Sequence, residues 1–419
     1  PEYRGLDLPV GRPLTAVVIG AGNRGNVYAS YAKNFPAELK IIGVAEPVVH
    51  KRERFAVVYD IPKENCFTSW EYVFDRQRFA DAVIITTPDN LHYGPAMAAL
   101  PLGYDMILEK VIAQTWKECR NILTAAEKHQ NIVAVCHVLR YTAYFRKIRE
   151  LIQEGAIGEV ISLQHFEPVE NIHMSHSFVR GPWRNSKESN PMILSKSCHD
   201  TDIIRWLVGK PCRRVTSFGD LAWFKRANAP AGSPERCTDG CPAEKECPYS
   251  SLKVYLRDKQ HLGHLNLEKG TDEEILDRLK STRYGQCVYK VDNDVVDHQI
   301  CNFEFDGGVT AAFSMEAMTH YGGRRTRIMG THGHLFGDEY ELQYVNFAKG
   351  EVKRWTVAEA KITSGHGGGD YGLVHDFIRA SMNRDEGLLT SNIQQSMESH
   401  LMGFLAEKSR LSGGKVQLC

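Results

Sequence analysis

The stretch ILSKSCHDTDIIRWLVG, residues 193–209, sets Ser195, Lys196, Cys198, His199, Asp200 and Asp202 ahead of an apolar helical run. Such residues suit a metal site, a proton-transfer site, or the polar opening of a core helix. Ser, Lys and Cys make an atypical ligand set for a metal, whereas a histidine titrates near neutral pH without help. Asp200 reads best as an acid at a helix N-terminus, favoured by the dipole. For Asp202 that reading stands level with one in which it orients His199. The choice among these depends on what the rest of the chain binds.

A second stretch answers part of that. VVIGAGNRG places Gly20, Gly22 and Gly25 as G-x-G-x-x-G, with Asn23 and Arg24 in the variable places, between an apolar run and a helical pattern. The first Gly permits a tight turn, the second lets a pyrophosphate approach the backbone, and the third allows close helix–strand packing. Glu46 ends the next apolar run, 46 − 25 = 21 residues beyond Gly25, where a carboxylate grips a ribose diol. It would repel a 2′-phosphate, so the expected cofactor is NAD; Lys51 and Arg52 are the features that would suit NADP. The competing reading is a glycine turn with no dinucleotide.

Three other groups of polar residues stand out. ENIHMSHSFVRGPWRNS (170–186) gathers His173, His176, Arg180, Trp183 and Arg184: either a substrate loop, with Trp183 on a sugar face and Arg forks on hydroxyls or an anion, or a surface loop. Asp297 and His298 open a strand, and His366 lies on a glycine-rich turn before a helix, with Asp370 its simplest N-cap. Cys237, Cys241 and Cys247 are spaced C-x3-C-x5-C, and with Cys287 they could bind one structural Zn; free thiols or a disulfide are the alternatives.

The elements that must position these residues follow a simple plan. TAVVIGAG, KIIGVAEP, DAVIITTP, DMILEK and IVAVCHV read as strands alternating with helices, the pattern of a parallel α/β sheet. Beyond residue 140 the chain turns β-rich with hairpin signals. This predicts a Rossmann domain over 1–140 and an α+β domain over 141–419 built on a large, mostly antiparallel sheet, with a Cys-rich insertion at about 226–290. The 419 residues suffice for two cores. Lys+Arg and Asp+Glu both number 51, so no net field draws nucleic acid or an acidic membrane. No apolar run is long enough for a membrane helix, the start lacks a signal-peptide pattern, and Pro at position 1 leaves room for a processed precursor. Eleven scattered cysteines fit a reducing cytoplasm.

Taken in order, TTPDNLHYGPAMAAL (86–100), ILEKV (107–111), GAIGEVISLQ (155–164) and CHDTDIIRWLVG (198–209) resemble the Gfo/Idh/MocA oxidoreductases over nearly the whole chain. Val111 stands where that family's Glu-Lys-Pro signature has Pro. The resemblance implies cofactor contacts from Thr87, Pro88, Asn90, His92, Glu109 and Lys110, and a cleft where Lys110 and His199 handle a substrate hydroxyl proton. It also implies a homo-oligomer, dimer or tetramer. Hydride leaves a carbinol carbon only as the O–H proton departs, so an acid/base must sit within reach. Burial beside a cationic nicotinamide would lower the Lys110 ammonium from about 10.4. Many relatives carry Asp four residues before the His; here that place is Ser195, so Lys196 compensating or Asp202 orienting His199 become the options. The expected activity is NAD-dependent oxidation of a sugar, polyol or glycoside. The alternatives are NAD-dependent glycoside hydrolysis through transient oxidation, elimination and re-reduction, and a non-catalytic dinucleotide sensor, which would not need Lys110 and His199 together.

Overall fold

The computed structural model describes residues 11–267, 269–360 and 366–419, with the side chains of residues 359, 360 and 366 outside the described set. The apolar runs near the start become β1 (Leu14–Ile19), β2 (Leu39–Ala45), β3 (Cys66–Phe67), β4 (Ala82–Ile85), β5 (Asp105–Leu108) and β6 (Val133–Val135). They form one parallel sheet in the order β3-β2-β1-β4-β5-β6. Strand order reverses between β1 and β4, which opens a crevice at their carboxyl ends.

Side chains alternate across this sheet with period two. Leu14, Ala16, Val18, Ile84 and Ile107 pack on one face, and Val17, Ile19, Val83, Ile85, Met106 and Leu108 on the other. Both faces are covered, so the strands are apolar almost throughout, as a buried parallel sheet requires. Part of the cover comes from the far end of the chain. The helix Gly369–Asn383 lays Leu373, Val374, Phe377 and Ile378 on the first face, and Ile393 and Met397, at the start of the helix Ile393–Leu411, join the second.

The second sheet contains β7 (Val160–Pro168), β8 (Cys212–Asp220), β9 (His298–Phe305), β10 (Thr310–Glu316), β11 (Arg325–Gly330), β12 (Gly333–Gly337), β13 (Glu341–Asn346), β14 (Glu351–Thr356) and β15 (Gln417–Leu418). Its order is β14-β13-β12-β11-β7-β10-β9-β8-β15. Only β7 and β10 run parallel; the other pairs are antiparallel. The helices Ala143–Gln153, Cys198–Val208 and Ile393–Leu411 bury Phe145, Ile148, Ile203, Ile204, Leu207, Met402 and Ala406 against one face. His199 is therefore presented by a helix clamped between the second sheet and the rest of the protein. Between Asp220 and His298 the described residues form no strand. That insertion builds a small core from Val254, Tyr255, Leu265, Ile275 and Leu279, and an Arg236–Gln286 bridge closes it.

Candidate active site

The glycine loop follows β1 with each glycine in a distinct role. Gly20 has φ +97°, and a Cβ there would stand 2.7 Å from Thr86 O. A Cβ on Gly25 would meet Gly20 O at 2.2 Å and Thr86 Oγ1 at 2.9 Å. A Cβ on Gly22 would meet nothing within 4 Å. The first and third glycines thus serve the protein's own packing, while the second leaves the open cradle that a pyrophosphate needs. Thr86 Oγ1 donates to Gly20 O at 2.7 Å, and Asn26 Nδ2 donates to Ala21 O and Gly22 O at 3.0 and 2.7 Å. Glu46 is buried beside the loop and accepts from Ala21 N at 2.9 Å and Val48 N at 3.0 Å. It holds the loop's shape as well as placing a carboxylate next to it.

At the end of β5, Lys110 Nζ donates to the backbone Ser195 O at 2.5 Å. This bond joins the first sheet to the segment that carries His199. The Ser195 hydroxyl takes no part: its Oγ is buried with no hydrogen-bond partner, as are Ser197 Oγ and His199 Nδ1. Burial keeps the His199 imidazole well below its ordinary pKa, reinforced by the positive charges of Lys110, Arg324 and Lys196 and by His137. Burial would also lower the Lys110 ammonium, but Cys198, Asp89 and Glu109 act the other way and carry it above its usual value. This reverses the expected lowering of Lys110. At neutral pH Lys110 is therefore an ammonium and His199 a neutral imidazole.

Behind the pair lies a buried polar layer. Asp202 is held by Arg140 through Nε at 2.7 Å and Nη2 at 2.6 Å, with Ser399 Oγ at 3.2 Å. It therefore pins the loop after β6 to the helix Cys198–Val208 and does not orient His199. His137 is fully buried, its ring centroid 6.3 Å from that of His199. Neither of its nitrogens has a hydrogen-bond partner, the nearest charge being Asp202 Oδ1 at 3.6 Å. Asp200, in the helix's first turn, accepts from Arg324 Nε at 2.6 Å and faces His165 Nε2 at 3.0 Å, a specific pairing beyond the dipole reading. Lys196 Nζ meets Glu167 Oε1 at 2.9 Å.

Several residues expected at the cofactor or substrate are occupied elsewhere. Arg24 donates to Glu109 at 2.8 Å and Asp370 at 2.6 Å, and stacks on Tyr28. Glu109 also accepts from Tyr28 OH and Lys110 N. His92 sits between Val111 O at 2.6 Å and Thr87 O at 3.0 Å, which leaves its ring nitrogens committed to the loop. Pro88 and Asn90 are exposed, and Thr87 Oγ1 donates to Leu91 O. Asp370 is not an N-cap, since Gly368 holds that place.

The 170–186 loop divides. Arg180 is buried with Nε on Gln286 O and Nη2 on Tyr249 O, 2.7 and 2.8 Å away. Arg184 is bidentate to Asp292. Arg180 Nη1 is buried with no hydrogen-bond partner, whereas the Arg184 fork is taken up by Asp292 and Glu188. His176 lies beneath His261 and His264, with ring centroids 4.2 and 4.1 Å away. Trp183 Nε1 reaches Asp89 Oδ1 at 3.3 Å, at the edge of the site. Asp297 caps Ala222 N and Trp223 N and meets His298 Nδ1 at 2.9 Å. The His366 side chain lies outside the described residues.

The Zn expectation finds no support. Cys237, Cys241, Cys247 and Cys287 do line one small cavity. Among the described residues, however, no group of three or more His, Cys, Asp or Glu side chains is placed to hold a metal ion. The Arg180 guanidinium enters that cavity with Nη2 3.7 Å from Cys237 Sγ, so a fixed cation already borders the thiols.

Comparison with known proteins agrees with this architecture. Residues 14–137 match the model of the oxidoreductase family's NAD-binding Rossmann fold, and residues 149–418 match the same family's C-terminal alpha/beta domain. The chain belongs to the Gfo/Idh/MocA oxidoreductase family. The putative oxidoreductase YteT of Bacillus subtilis is 27% identical over 312 residues, covering 71% of this chain and 72% of that protein. A 2,7-anhydro-N-acetylneuraminate hydratase of Mediterraneibacter gnavus is 26% identical over 147 residues, 33% of this chain and 36% of the relative. The structure of an inositol dehydrogenase homolog from Azotobacter vinelandii, complexed with NAD+, superposes with a TM-score of 0.70 at 14% identity, covering 99% of each chain. In this family member NAD is the cofactor, and the loop fits it: a strained Gly20, a packed Gly25 and open space at Gly22. No described helix is long and apolar enough to cross a membrane.

Proposed function

We propose that this protein oxidises a hydroxyl-bearing carbon of a sugar, polyol or glycoside, with Lys110 and His199 as its acid/base pair. The observation that carries the reading is the 2.5 Å bond from Lys110 Nζ to Ser195 O, which fixes the lysine against the His199 segment. Gly20, Gly22, Gly25 and Glu46 would hold NAD, which supplies the hydride acceptor. His199, neutral at working pH, takes the hydroxyl proton at a ring nitrogen. The Lys110 ammonium steadies the oxygen as negative charge develops there. The surrounding apolar helices keep bulk water from the pair, and Trp183 on Asp89 closes one edge.

A second reading is redox-neutral: transient oxidation, elimination of an aglycone and re-reduction. It is favoured by the relative named as an anhydro-sugar hydratase and by Ser195, which puts no carboxylate beside His199. Sugar and nitrophenyl-glycoside panels, followed for both NADH and released aglycone, separate the two. Net NADH supports the dehydrogenase; aglycone without net NADH supports the hydrolase.

The chain divides near residue 140 into cofactor and substrate halves in this reading. Eleven free thiols suit the cytoplasm. Exposed Ile161, Phe218 and Ile300 on β7, β8 and β9 suit burial between subunits of a dimer or tetramer.

A further inference from the structure

We propose that His176, His261 and His264 form an acid-released clasp, which holds the 259–267 turn of the insertion over the loop bordering the cleft. His176 lies in the helical segment Met174–Val179, shortly after β7, and is almost wholly buried. His261 and His264 are exposed, the first capping and the second within the short turn Leu262–Leu265. The His261 ring stacks on His176 with centroids 4.2 Å apart and planes 18° apart. His264 meets the same ring edge-on at 4.1 Å. Beneath them, His176 Nδ1 shares a hydrogen bond with Tyr255 OH at 3.1 Å. Leu265 anchors the turn in the insertion's own core, so the imidazoles are its grip on the loop. From the same helical segment Phe178 packs on Trp183 at 5.9 Å, and Trp183 reaches Asp89 at the edge of the cleft.

Contacts this close suit neutral rings, because two imidazolium ions about 4 Å apart repel each other. The groups that face the cluster give a proton little compensation. Arg180 and His173 act on His176 from its own segment, and Lys196 acts on His173. Tyr255 and Tyr284 lie against His176 as phenols, with centroids 6.1 and 5.9 Å away. Glu170 is the acid that acts on His261, and it already accepts from Ile172 N at 3.0 Å and His173 N at 2.8 Å. Nearby in the insertion, Lys259 is paired with Asp272 and Arg257 with Glu244. Burial, reinforced by His264, His261, His173 and Arg180, holds His176 down at about 2. Partial burial lowers His261 and His264 as well; Glu170 opposes this at His261, and His261 adds to it at His264. Histidines lowered in the closed state leave the clasp shut above their ordinary value near 6.5. As pH falls below that value the open form takes up the protons, and closure is lost.

The test is amide hydrogen exchange of the full chain at pH 7.5 and 5.0, corrected for the intrinsic pH dependence of exchange. Protection within 259–267 reads local opening of the turn. Each histidine that takes up its proton only on opening raises the open population by up to about ten-fold per pH unit below 6.5. Protection of the turn in the wild type should therefore fall at least about ten-fold between the two pH values. The comparison is the double variant His261→Asn and His264→Gln. Both positions are exposed, and Asn tolerates the φ of +57° at His261. Its fall in protection should be smaller than that of the wild type by at least about three-fold. Opening of the whole protein with acid is common to both chains and drops out of the comparison. A smaller fall in the wild type, or a fall in the variant reduced by less than this, would overturn the clasp.

Discussion

Replacing Gly22 and Gly25 in turn with alanine separates cofactor approach from protein packing within one loop. Gly22 has φ −76° and ψ −163°, a conformation alanine adopts readily, and its added Cβ would meet nothing within 4 Å. The folded state then has no clash to absorb, and the smaller entropy of the unfolded chain should leave Gly22→Ala stable or more stable by about 0.4–1 kcal/mol. Gly25→Ala places a methyl 2.2 Å from Gly20 O, a backbone atom held in the same turn. Overpacking of that kind costs about 1–3 kcal/mol, or about 2–4 °C per kcal/mol in melting temperature. Thermal unfolding without NAD should therefore show Gly22→Ala near the wild type and Gly25→Ala several degrees lower. Fluorescence titration with NAD should show the reverse emphasis, with Gly22→Ala folded but binding at least about ten-fold more weakly, since its methyl occupies the space the pyrophosphate needs. Wild-type NAD affinity in Gly22→Ala would refute the assignment of the cradle.

Three further outcomes follow from the buried polar groups. Glu46→Ala should weaken NAD more than NADP, because it removes a ribose acceptor and a repulsive charge; tighter binding of NADP than NAD by the wild type would contradict this. Asp202→Asn leaves Arg140 as a half-paired buried cation and should lower stability by about 3–5 kcal/mol in urea unfolding, whereas a loss under about 1 kcal/mol would mean the pair is not the pin described. His137 and His400 are fully buried, and burial holds them at about 3 and about 4. The unfolded chain takes up these protons near pH 6.5 and the native state does not, so stability is intact above that pH. It falls toward pH 4 by up to about 1.4 kcal/mol per unit for each histidine, and a flat urea midpoint from pH 7.5 to 5 would contradict the burial of these rings as neutral groups.

The features legible in the sequence are those whose logic is local. Gly20, Gly22, Gly25 and Glu46 are fixed by one turn and the strand beside it, and the order of apolar runs announces five of the six strands in the first sheet. β3 escaped because two residues give no periodicity. Lys110 and His199 could be named as partners from their motifs, but the bond that joins their segments runs from Lys110 Nζ to the Ser195 carbonyl, which any residue type would supply. The charged layer is another matter. Arg140 and Asp202 are 62 residues apart, and Arg24 and Asp370 are 346 apart; such pairs exist only once the sheets and helices have packed. The same holds for Arg180, which reads as a substrate fork in its loop but is drawn under the insertion by Gln286 and Tyr249. It also held for the cysteines, whose spacing suggests a metal while carrying no sign of the guanidinium beside them.

The central claim is that Lys110 and His199 act together on the proton of the hydroxyl being oxidised. Single-turnover NADH formation in Lys110→Met, His199→Asn and the double variant tests it under either enzymatic reading, since both begin with oxidation. Each single variant should slow the transient by at least about 10²-fold while binding NAD as the wild type does, and the double variant should lose much less than the product of the two. Near-wild-type transients in both single variants would contradict the account and return His199 to the role of a core histidine.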